Sequence, residues 1–169
     1  MPTWTDPVIR APRAWGWNHV RYAAGLALIA CGVVGTVLSS TYSLWFLLAG
    51  PVVNGLGWMV LPGSLWRRIA VLLPCMLGGL LLLAGPQFAG GFALLVAGWL
   101  VVRNRPALSY LAVLLPVGAS FASKEFLHDY SQNGVMLAVG AIISIGATWL
   151  AAWLATVGQV PSQSVDSLR

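Results

Sequence analysis

Charge is what this sequence has least of. Nine basic and four acidic residues among 169 make it 8% charged against 59% hydrophobic. A soluble domain carries about a quarter charged residues, because a surface facing water needs them. A water-exposed globule is therefore excluded. Lysine occurs once, as Lys124, and histidine twice, as His19 and His128. The two cysteines, Cys31 and Cys75, lie singly inside apolar runs and read as buried free thiols acting as small hydrophobes, silent about redox compartment. No G-x-S-x-G, H-E-x-x-H, Walker A or dinucleotide glycine pattern occurs. The apolar runs carry no Asp, Glu, His or Arg at their centres, which speaks against proton-coupled carriers, pumps and voltage sensors.

What is present is hydrophobic length. Apolar runs at 22–38, 44–61, 69–85, 86–102, 107–119 and 135–157 approach or exceed the roughly 17–25 residues that cross a bilayer as a helix. The expected fold is an all-α, polytopic, six-helix transmembrane bundle. Residues 1–21, broken by Pro2, Pro7 and Pro12, read as a cytoplasmic or interfacial lead-in, and 158–169 as a polar cytoplasmic tail. The first run is longer than a signal-peptide core and no A-x-A site follows, so it is expected to be retained. The weakest of the six is 86–102, whose uninterrupted apolar part is short enough for a re-entrant segment.

Sidedness follows from the arginines. Alternate connectors hold Arg10, Arg13 and Arg21, then Arg67 and Arg68, then Arg103 and Arg105, then Arg169, while the intervening ones hold only Lys124 with Glu125 and Asp129. Basic residues stay cytoplasmic, so both termini are expected inside, in a multi-pass protein of the cell membrane. Trp58, Trp66, Trp99 and Trp153 fall at the arginine-bearing ends of their runs and read as an interfacial belt. The net charge of +5 is spread in ones and twos rather than along a stripe, which excludes nucleic acid as a partner. Arginine outnumbers lysine eight to one amid abundant Ala, Gly, Val, Leu and Trp, which points to a GC-rich bacterial genome.

Membrane helices associate through small residues that let backbones approach. Gly140, Ser144, Thr148 and Ala152 recur every four residues, flanked by Ala147, Ala151 and Ala155, with Ile142, Ile145, Trp149 and Trp153 opposite. Ala23, Ala27, Cys31 and Gly35 repeat the device in the first run, and Ala89, Ala93 and Ala97 in the fourth. Such faces pack within a bundle or against a membrane-protein partner or second copy. Gly57-Trp58 with residues 70–74 (AVLLP) recurs as Gly98-Trp99 with residues 112–116, a pattern that a duplicated helical hairpin, spans two and three copied as four and five, would leave.

Chemistry-bearing residues are few. Asn54, three residues after Pro51, is the deepest strongly polar group. It reads as interhelical glue or, with Ser144 and Thr148, as the rim of a polar pocket. The 120–133 stretch reads as the one long loop, and Glu125, His128 and Asp129 there have the i, i+3, i+4 spacing of a shared helical face. A solvated loop accounts for them without a metal, and neither catalytic residues nor a cofactor are expected. The lipid bilayer is the expected surrounding. The favoured function is a non-enzymatic accessory subunit or small permease-like component of a membrane complex. The alternative is a binder or carrier of a small apolar or lipid-like ligand at Asn54, Ser144 and Thr148, and a membrane enzyme using 120–133 ranks behind both.

Overall fold

With so few polar side chains to bond to, the backbone has to satisfy its own N–H and C=O groups, and each apolar run does so as a helix. The computed structural model describes residues 18–40, 42–126 and 130–157. Over these it has six α-helices: α1 (Asn18–Val37), α2 (Leu44–Val60), α3 (Leu65–Leu83), α4 (Gly91–Val102), α5 (Leu114–Phe126) and α6 (Asn133–Val157). Short 3-10 segments, Pro86–Phe88, Ala107–Val113 and Tyr130–Gln132, lead into the last three. No strand occurs among the described residues.

Four stretches are long and apolar enough to cross a membrane: His19–Val37, Leu65–Leu83, Ala107–Phe126 and Asn133–Val157. Leu44–Val60 and Pro86–Val102 are shorter. At 1.5 Å per residue, 17 residues reach about 25 Å, a few ångströms short of a ~30 Å hydrocarbon core. The fifth run extends past residue 119. Helix α5 continues to Phe126, so the expected loop at 120–133 loses its first half to helix. Ser120 and Ser123 do not break it because their hydroxyls donate to the carbonyls three residues back, Val117 and Ser120, at 2.7 and 2.9 Å.

The most extensive packing among the described helices joins α1 to α2. A Cβ on Gly57 would stand 2.7 Å from the Ile29 amide nitrogen, and one on Gly50 would stand 2.7 Å from that of Thr36. Glycine inside a helix costs about 1 kcal/mol against alanine, and here it lets two backbones touch. This face of α1 runs Gly25, Ile29, Gly32, Thr36. The small stripe Ala23, Ala27 and Cys31 points outward instead, exposed at all three positions, with Gly35 at the edge of the contact. Sequence periodicity admits both faces; the glycines win because they come without a Cβ. Cys75 is buried as expected, whereas Cys31 is exposed.

Helix α3 meets α4 by the same means. A Cβ on Gly91 would stand 2.4 Å from the Gly78 carbonyl oxygen, and one on Gly98 would stand 2.3 Å from the Cys75 sulfur. Ala89 and Ala93 face inward as expected. On α6 the buried face is Met136, Ala147, Ala151 and Ala155, while Ile142, Ile145, Trp149 and Trp153 are exposed. The alanine flank thus packs more deeply than Ser144, Thr148 and Ala152. Buried Ser109 ties this helix down by donating to the Ala151 carbonyl at 2.9 Å.

Two buried clusters result. One, toward the arginine-bearing end, includes Trp58, Leu61, Val71, Cys75, Trp99, Leu100 and Val102; the other gathers Val33, Val37, Leu82, Phe92 and Met136. Trp58 and Trp99 are therefore core residues rather than belt residues, while Trp45, Trp66, Trp149 and Trp153 remain exposed. The two copies of the sequence repeat are packed differently. Ala70 and Pro74 are exposed in continuous helix, whereas Ala112 and Pro116 are buried, Ala112 within the 3-10 segment.

Candidate functional site

The end of α4 is built to place two arginines. The Asn104 amide donates to the Val101 carbonyl and the Arg105 amide to that of Leu100, both at 3.1 Å. This 5→2 and 6→1 pair is a Schellman motif, which requires a left-handed residue after the helix cap. Asn104 supplies it with φ 52°, the only non-glycine positive φ among the described residues. Asparagine tolerates that conformation better than other side-chain-bearing residues do. Pro106 then prevents the helix from continuing. Arg103 and Arg105 flank the turn, and positive charge next to C-terminal carbonyls is favourable.

The Arg103 guanidinium lies over two rings, 5.0 Å from the centroid of Tyr22 on α1 and 5.2 Å from that of Trp99 on α4. The rings themselves are 5.1 Å apart and tilted by 59°. Contact of this kind, a guanidinium against aromatic faces, is favourable and restricts where the Arg103 side chain can lie.

These groups form one wall of a cleft of about 550 Å³, which Tyr22, Trp99, Arg103 and Arg105 line from one side. The other wall is the last two turns of α6: Thr148, Trp149, Ala152, Trp153 and Thr156. Trp149 and Trp153 are 79% and 60% exposed, so this wall continues onto the outer surface of the bundle. The threonine hydroxyls donate to their own helix, Thr148 to the Ile145 carbonyl and Thr156 to that of Trp153, each at 2.7 Å. Arg103 and Arg105 are the charged residues of the lining, set among aromatic and apolar carbon.

Other arginines at this end serve the fold. Arg21 donates to the Val60 carbonyl at 3.3 Å and Arg68 to that of Met59, satisfying carbonyls at the end of α2 that no helical amide reaches. These contacts, with Arg103 over Tyr22, bring the arginines of three separate connectors to one end of the bundle.

The expected pocket at Asn54, Ser144 and Thr148 is not assembled. Asn54 is buried and accepts from the Trp58 indole at 3.0 Å; its amide makes a long 3.5 Å contact with the Cys75 carbonyl on α3. That is the glue reading, directed across helices rather than to the carbonyl freed by Pro51. Ser144 donates to the Gly140 carbonyl of its own helix at 2.7 Å. Only Thr148 of the three reaches the cleft. In the other candidate group, Glu125 is exposed on the last turn of α5, and His128 and Asp129 lie outside the described residues. A smaller, partly open cavity of about 30 Å³, lined by Phe92, Pro116, Met136, Gly140 and their neighbours, has room for a water.

Sequence reading missed the cleft because its members were assigned elsewhere: the arginines to sidedness, Trp99 and Trp153 to a belt. The signal was present as Trp-x-x-x-Arg-Asn-Arg-Pro at 99–106 with Trp149 and Trp153 one turn apart. No family model, curated protein or solved structure matches the chain.

Proposed function

We propose that this chain is a non-enzymatic, multi-pass protein of the cell membrane that retains a lipid-like amphiphile in the cleft between α4 and α6. The observation that carries the reading is the cleft itself. It sets two guanidinium groups beside aromatic carbon at a helix end, and one wall, Trp149 and Trp153, opens sideways. A ligand with a polar head and an apolar body fits that division, and about 550 Å³ lies within the 300–1,000 Å³ typical of small-molecule sites.

Six crossings with both termini cytoplasmic is the arrangement supported by six antiparallel helices and by arginines gathered at one end. Helix α2 and the Pro86–Val102 stretch then cross a locally thinned bilayer, at a cost of a fraction of a kcal/mol per ångström of mismatch. The arginine end faces the cytoplasm, and the cleft draws from the inner leaflet.

The test is purification of the full chain from native membranes in mild detergent, with every retained lipid identified by mass spectrometry. A defined lipid at about one per chain supports the reading; a bare chain overturns it. A second reading, an accessory subunit of a membrane complex, is favoured by the outward Ala23, Ala27 and Cys31 face, which none of the described helices covers. The same purification tests it through stable co-purifying protein.

A further inference from the structure

We propose a second binding site at the arginine end, where Arg21 on α1 and Arg68 on α3 meet at the end of α2 and together hold the phosphate of an anionic phospholipid. The site is separate from the cleft, whose lining includes neither residue.

Neighbouring carbonyls bring the two side chains together. Arg21 donates through Nη2 to Val60 at 3.3 Å, and Arg68 through Nη1 to Met59. Each of these bonds uses one of the five N–H donors of a guanidinium. Both residues are half-buried rather than enclosed. Two planar donor groups side by side suit the oxygens of one phosphate, which arginine binds through paired N–H groups.

The charges of this pair are not balanced from within the bundle. The Arg21 charge is close enough to act on Arg68, and like charges repel. The carbonyl end of α2 offers about half a unit of negative charge against two positive ones. Among the described residues the only acidic side chain is Glu125. It lies at the far end of the Ala107–Phe126 stretch from the arginine turn. Arg68 Nε is buried with no hydrogen-bond partner among the described residues. An anion at the pair relieves the repulsion and stabilises a guanidinium that the carbonyls satisfy only in part.

The surroundings decide between a lipid phosphate and free phosphate. Arg21 and Arg68 stand in the first turns of His19–Val37 and Leu65–Leu83, both long and apolar enough to cross a membrane. Their neighbours in sequence, Val20, Leu65, Trp66 and Ile69, are all exposed. Indole rings prefer the level where headgroup meets acyl chain. A cationic pair within an exposed apolar collar matches a phosphate carried above acyl chains, whereas inorganic phosphate gains nothing from the collar.

The experiment uses the full chain in mild detergent, titrated with dioleoyl phosphatidylglycerol or dioleoyl phosphatidylcholine and read by native mass spectrometry. The wild-type chain should prefer phosphatidylglycerol. Each arginine near a membrane surface contributes roughly fivefold, so Arg21→Gln with Arg68→Gln should lower that preference about thirtyfold. Glutamine can still donate to the same carbonyls. Substitution of both by lysine should keep most of the preference. Arg21→Gln alone should lose about fivefold and decides the matter should the double variant misfold. Arg13→Gln with Arg169→Gln removes the same charge elsewhere and should leave the preference unchanged; an equal loss there means overall charge and overturns the site. Trp149→Ala with Trp153→Ala should also leave it unchanged, and its loss there would move the headgroup to the cleft and overturn the proposal. Absence of any preference in the wild-type chain, or wild-type preference in the paired glutamine variant, overturns it as well. Complete displacement of phosphatidylglycerol by millimolar inorganic phosphate identifies a free anion and has the same consequence. None of these losses bears on whether the cleft holds an amphiphile.

Discussion

The backbone of Asn54 fills the space a side chain on Gly32 would need: a Cβ there would stand 2.3 Å from the Asn54 amide nitrogen. A flexible side chain can move away from a clash, but a helical backbone moves only with its helix. Gly32→Ala should therefore push α1 from α2 and destabilise the bundle by about 1–3 kcal/mol, the range for overpacking a filled core. Gly118→Ala is the control, since nothing lies within 4 Å of that position. It should be neutral, or stabilising by up to ~1 kcal/mol through helix propensity. Thermal unfolding in detergent, followed by loss of the monodisperse chromatographic peak, separates the two.

Asn54 and Trp58 form the second measurable pair. Both are 1% exposed, and the indole donates to the Asn54 side-chain oxygen at 3.0 Å. Asn54→Leu leaves a buried N–H without an acceptor, which costs about 1–3 kcal/mol. Trp58→Phe leaves the amide oxygen unpaired and opens a cavity. The double variant loses both polar partners at once, so it should be less destabilised than the sum of the single variants by about 1 kcal/mol or more. Lipid retention per folded chain should not change in Asn54→Leu, because Asn54 does not line the cleft. Selective loss of lipid in a variant of wild-type stability would return Asn54 to a ligand site.

How far the sequence carried the reading can be seen at particular residues. The apolar runs gave the helices, because helix formation at low polarity is dictated by the backbone's own needs. The exposed Ile142, Ile145, Trp149 and Trp153 of α6 were legible from a 3.6-residue period. The α1 face was not, since Ala23, Ala27 and Cys31 recur as regularly as Gly25, Gly32 and Thr36, and choosing between them needs the partner helix. Trp58 was misjudged for a related reason: a tryptophan near a helix end fits the headgroup region, and only its bond to Asn54 shows it turned inward. The cleft joins residues from α1, α4 and α6, up to 134 positions apart between Tyr22 and Thr156, and no local pattern encodes that meeting.

The turn at Asn104 gives a prediction that separates backbone from side chain. At φ 52° a β-branched residue is strained by roughly 1–2 kcal/mol, while glycine is not. Asn104→Gly should keep both stability and lipid retention near wild type. Asn104→Val should lose stability by about that amount and weaken lipid retention, because Arg103 and Arg105 would no longer be held on either side of the same turn. Unchanged lipid retention in a folded Asn104→Val chain would show that the turn does not position the arginines.

The last prediction concerns the crossings. Reporter fusions after Ser40, Trp66, Phe88, Asn104 and Ser131 should alternate outside, inside, outside, inside, outside if all six helices cross. The informative site is Phe88. Pro86–Val102 is about 25 Å long at 1.5 Å per residue, and its first turn is 3-10, reached through Gly85 at φ 111°. Were α3 and this stretch a re-entrant hairpin entered from the arginine end, residue 88 would sit at membrane depth, and an added glycosylation or cysteine-labelling site there would fail to react. A reactive cysteine at Phe88 from the outside, with a cysteine at Asn104 reactive only from the inside, establishes a full crossing. An unreactive Phe88→Cys in a folded chain reduces the count, yet the arginine end would stay on one side, since Arg21, Arg68 and Arg103 are joined there by contacts to Val60, Met59 and Tyr22.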